Sequence, residues 1–73
     1  MTLKEKLELI RGVKLVVKKG KEYEVFFLFE KAADRLYNSI MEYYLMLCID
    51  FLKLDYRIDE RNENGLDLTV WKK

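Results

Sequence analysis

The spacing of apolar residues changes twice along this chain, and that restricts its fold more than any single motif. Residues 13 to 29 alternate with a period of two, residues 30 to 51 repeat at threes and fours, and alternation returns from Leu52. Period two is the mark of a half-buried strand and period 3.6 that of an amphipathic helix. With a short helix in front, the pattern predicts an α+β domain of order α-β-β-α-β-β, its antiparallel hairpins packed on one long helix. A single domain over 1–73 is expected, since no linker or low-complexity segment interrupts it.

The first helix is expected over residues 3 to 11. Thr2 stands three residues before Glu5 in a capping-box spacing, and Gly12 offers a stop. In the first hairpin, a three-residue loop Lys18-Lys19-Gly20 would set Val17 opposite Lys21 and Leu15 opposite Tyr23. Val13, Leu15, Val17, Tyr23, Val25, Phe27 and Phe29 would then share one face. Phe26 and Leu28 point the other way and need a cover.

The long helix is expected from about Glu30 to Phe51. Ala33, Leu36, Tyr37, Ile40, Tyr44, Leu47 and Phe51 form a broad stripe, read as facing the core. A second stripe of Met41, Leu45, Cys48 or Ile49, and Leu52 makes the later half of the helix apolar nearly all round. In the last hairpin, a five-residue loop from Arg61 to Gly65 would pair Ile58 with Leu68 and Tyr56 with Val70, and turn Trp71 to the opposite face.

A chain of 73 residues buries only about 60 % of its unfolded surface, yet 51 % of these residues are hydrophobic and 14 % aromatic. The surplus falls on Phe26, Leu28, Met41, Leu45, Ile49, Leu52 and Trp71, which are therefore expected to form a homodimer or partner interface.

Catalytic chemistry finds little material here. Histidine is absent, which removes triads and histidine bases. The single cysteine, Cys48, lies in an apolar helix without a nearby cation and reads as a core thiol. It also excludes disulfides within the chain and thiolate zinc sites. Gly12, Gly20 and Gly65 are too scattered to cradle a phosphate. The run from Glu60 to Gly65 departs from a calcium loop at its first position and at Trp71, where a bidentate Glu is needed. No catalytic residue, metal site or cofactor is therefore expected, and the protein is read as non-enzymatic.

Charge is uneven under a net +1. Residues 1 to 21 carry seven cations against two acids, and residues 22 to 60 four cations against nine acids. Arg11, Lys14, Lys18, Lys19 and Lys21 at the basic end are candidate contacts to nucleic-acid phosphates, without a platform for reading bases. The expected function is a small accessory protein that homodimerises through its apolar long helix and binds a macromolecular partner. The alternative is a sequence-indifferent nucleic-acid binder. An intracellular, cytoplasmic location is expected, because no signal-peptide pattern opens the chain. The longest apolar run, residues 43 to 49, is also far short of the roughly 20 residues of a membrane span. Lys and Glu dominate the charged set while Gln and Pro are absent, a thermophile-like bias.

Overall fold

The computed structural model describes residues 1–31 and 34–73. Ala33, placed on the core stripe by its spacing, lies outside the described residues. The elements are α1 (Leu3–Glu8), β1 (Val13–Lys19), β2 (Glu22–Leu28), α2 (Arg35–Phe51), β3 (Leu54–Asn62) and β4 (Gly65–Lys72). The order is the expected one. The two hairpins merge into one antiparallel sheet of order β1-β2-β4-β3, and both helices contribute to a core on one of its faces.

Local chemistry accounts for the helix ends. At α1 the Thr2 hydroxyl accepts from Glu5 N at 3.2 Å, while Thr2 N donates to the Glu5 carboxylate at 3.0 Å, closing the capping box. At α2 the Asp34 carboxylate accepts from Tyr37 N at 3.0 Å. The helix thus starts five residues later than its spacing predicts. A three-member cluster ties that start to the turn after α1. Arg11 donates to the Glu30 carboxylate through Nε and Nη2, at 2.5 and 2.9 Å, and the Tyr37 hydroxyl donates to Glu30 at 2.9 Å. These bonds hold the Glu30 carboxyl well below its ordinary range, at about 2. At the other end Lys53 takes a left-handed conformation (φ 64°), the role glycine usually fills after a helix.

The first hairpin corrects the expected register. Gly20 does adopt positive φ, but in a two-residue Gly20-Lys21 turn of the II′ kind, so Lys19 pairs with Glu22 and Val17 with Glu24. A bulge leaves Lys14 unpaired between Val13 and Leu15. Beyond it, Val16 points into the core, while Leu15 is exposed on the outer face with Val17. The β2 residues Tyr23, Val25 and Phe27 face inward as expected. In the second hairpin Ile58 pairs with Leu68 and Tyr56 with Val70, again as expected. The loop itself is shorter. A bulge at Asp59 restores phase, pairing runs on to Asn62 and Gly65, and the Asn62 side chain accepts from Asn64 N and Gly65 N. Gly65 lets β4 close on β2, since a Cβ there would stand 2.0 Å from the Phe27 carbonyl oxygen.

The main correction concerns α2. Met41, Leu45 and Ile49, expected at an interface, are buried in the core beside Val25, Phe27 and Leu68, with Leu45 at 0 % exposure. Leu36, Ile40, Tyr44, Leu47 and Phe51, expected in the core, are exposed. The helix is therefore seated about half a turn of its wheel from the expected orientation. The physical reason is that the line covering the sheet, Asn38, Met41, Leu45 and Ile49, is apolar beyond its first turn and carries no hydroxyl, whereas the opposite stripe carries tyrosines, whose hydroxyls are satisfied at a wet boundary.

Candidate interaction surfaces

Two apolar surfaces remain uncovered by the described residues. The first is a ridge along α2 made by Leu36, Ile40, Tyr43, Tyr44, Leu47 and Phe51, between 43 % and 84 % exposed. At 1.5 Å per residue the helix is about 26 Å long, and the ridge runs about 22 Å of it. Beside its C-terminal half, the turn after α1 leaves a groove of about 580 Å³ between Leu9 and Ile10 on one side and Tyr44, Leu47 and Phe51 on the other. Tyr44 is hydrogen-bonded to Cys48, which pushes the phenol up from its ordinary pKa. Cys48 is half-buried at the edge of this groove.

The second surface is a corner of the outer sheet face. Leu15 pairs with Phe26, and Leu28 follows on the same face of β2. Leu15 and Leu28 are exposed and Phe26 is half-buried, with no helix over them. The row Leu15–Phe26 continues into Asp67 and Glu60, so the corner abuts acid. Leu52 and Trp71, also expected at an interface, are half-buried. They stand apart: Leu52 packs against the core at the end of α2, and Trp71 lies on the outer sheet face at the opposite end from the corner. Of the seven expected interface residues, Phe26 and Leu28 thus come together, and Met41, Leu45 and Ile49 belong to the core.

A polar network fills the middle of the outer face. Asp59 accepts from Arg57 Nε at 2.8 Å and from the Thr69 hydroxyl at 2.5 Å, and Lys19 Nζ lies 2.5 Å from Glu24. Their partners hold Asp59 and Glu24 below the usual carboxylate range. Asp67 behaves in the opposite way. Burial, with Glu24 and Asp59 nearby, pushes it up to about 6, and its Oδ1 is buried without a hydrogen-bond partner.

The five candidate phosphate contacts divide. Arg11 is committed to Glu30 and Lys19 to Glu24. Lys18 and Lys21 remain, and at the turn end of the first hairpin they join Lys72 around a cleft of about 520 Å³ that also holds Tyr23 and Trp71. Lys14 lies apart, at the β1 bulge.

Among the described residues no three His, Cys, Asp or Glu side chains are grouped to hold a metal ion, and no helix is long and apolar enough to cross a membrane. Comparison with protein-family models, with curated proteins and with solved structures finds no match to this chain.

Proposed function

We propose that this protein is a non-enzymatic interaction module that pairs with a second copy through the α2 ridge and offers its outer sheet face to another macromolecule. The observation that carries the reading is the ridge itself. Six large apolar side chains in line on one helix, next to an apolar groove, exceed the scattered exposure normal for a monomer surface. Histidine is absent, and Asp59 and Glu24 near the sheet centre are taken up by Arg57 and Lys19, which supports reading the chain as a binding module. Relative to the sequence-based expectation, the seam moves from Met41, Leu45 and Ile49 to the opposite stripe.

Light scattering on a sizing column tests the reading. The native chain is expected at twice the 8.9 kDa of one chain, and Ile40→Glu combined with Leu47→Glu is expected to run as a folded monomer. A native chain that stays monomeric at every accessible concentration would remove the proposal.

Nucleic-acid binding stands as the second reading, favoured by the cleft that sets three lysines around Tyr23 and Trp71. It predicts a gel shift with single-stranded nucleic acid that weakens steeply with salt and with Lys18→Ala plus Lys21→Ala. No shift at low ionic strength sinks it.

A further inference from the structure

The two halves of the α2 ridge differ in shape. Toward its N-terminal end Leu36 and Ile40 are 75 % and 60 % exposed and project as knobs, whereas Leu9 and Ile10, just past α1, flank the C-terminal half and make the groove beside Tyr44, Leu47 and Phe51. The spacing of the ridge residues is also palindromic. From Leu36 the steps are four, three, one, three and four, ending at Phe51.

We propose that two copies pair with their α2 helices antiparallel, about a twofold axis that passes between Tyr43 and Tyr44. This rests on the reading of the ridge as a self-association surface. In this register Leu36 meets the partner's Phe51, Ile40 meets the partner's Leu47, and Tyr43 meets the partner's Tyr44. Every ridge residue finds an apolar counterpart, and each knob enters the other copy's groove, twice over. A parallel pair would set knob on knob and groove on groove.

Charge selects the same arrangement. At 100° per residue Arg35 and Asp50 lie on the same side of the ridge, at opposite ends of the helix, Asp50 also holding the exposed Lys73 at 3.3 Å. A twofold axis across antiparallel helices keeps each flank on its own side, so Arg35 comes beside the partner's Asp50 at both ends. Parallel packing would keep Arg35 and the partner's Asp50 about 22 Å apart along the helices, with no such pairing. The area is adequate as well. At roughly 200 Å² for a large free side chain the ridge exposes on the order of 700 Å², near the ~800 Å² per partner of a standard interface before Leu9 is added.

Cysteine cross-linking in a Cys48→Ser background tests the register. Chains carrying Leu36→Cys mixed with chains carrying Phe51→Cys are expected to form a disulfide-linked dimer on mild oxidation. Leu36→Cys alone is not, because its two copies would stand about 22 Å apart along the helices. Tyr43→Cys, next to the axis, is expected to cross-link with itself. Self-linking of Leu36→Cys overturns the antiparallel arrangement. So does a chain that is dimeric by light scattering yet forms none of these links, and both results leave self-association intact. A monomeric mass with no links overturns the parent reading instead. Charge reversal gives a check without cysteine: Arg35→Asp is expected to weaken dimerisation about three- to tenfold, and adding Asp50→Arg to restore it. Failure of the second change to restore association overturns the pairing.

Discussion

Leu45→Asp is expected to abolish the fold, whereas Leu47→Asp, two residues further on, leaves the far-ultraviolet circular dichroism spectrum unchanged. Leu45 is fully buried against the sheet, and a carboxylate there has neither a partner nor water. Truncation to alanine at such a site costs about 2–5 kcal/mol, and burying an unpaired charge costs more. A 73-residue domain has only about 4–11 kcal/mol of total stability to lose. Leu47 is about half exposed on the ridge, and a surface substitution of this kind changes the stability of a chain by about 0.5 kcal/mol or less. The reverse outcome, with Leu45→Asp folded and Leu47→Asp unfolded, would mean that the helix seats its other stripe.

Asp67→Asn is expected to raise the melting temperature by about 10 °C at pH 7.5 and to leave it nearly unchanged at pH 4. Asp67 in the folded chain has its pKa pushed above the ordinary 3.8 to about 6, first by burial and then by Glu24. The folded state therefore holds this proton more tightly than the unfolded chain does. Its contribution is fully present below the unfolded pKa and is lost as pH rises from about 4 to 6. Above that window the ionised carboxylate costs on the order of 2 kcal/mol, which in a domain of this size corresponds to about 10 °C. Asparagine keeps the shape and can still donate to Glu24, but it carries no charge to desolvate. Glu30 and Asp59 work in the opposite sense. Their lowered values add stability above their unfolded pKa that is lost as pH falls, so only the difference between mutant and native chains isolates Asp67. Equal melting shifts at both pH values would refute the assignment.

The parts of the fold legible from residue spacing are those where one parity alone is apolar. Tyr56 and Ile58 against Leu66, Leu68 and Val70 admit one register, and it is the observed one. In β1 the run Val13-Lys14-Leu15-Val16-Val17 is apolar on both parities. The pattern there cannot choose a face, and a bulge that absorbs Lys14 decides it. The same ambiguity, on a larger scale, inverted the reading of α2. Both of its stripes are apolar, so periodicity finds two faces without ranking them. The signal that separates them is chemical: Tyr43 and Tyr44 lie on the exposed side, and the buried line of Met41, Leu45 and Ile49 carries no hydroxyl. The end of α2 was obscured because Lys53, not a glycine, takes the left-handed position. The outer-face corner at Phe26 and Leu28 was visible as surplus from the start, since no period could bring those residues inside with Val25 and Phe27.

The bulges at Lys14 and Asp59 interrupt β1 and β3, and these are the two outermost strands. Each breaks the regular row of amide and carbonyl groups that another strand would need, and β3 adds Asp55, Arg57, Glu60 and Arg61 along the same rim. Neither border of the sheet is a template for lengthening it. Side-by-side addition of further chains, where nothing would end the row, is disfavoured at both borders.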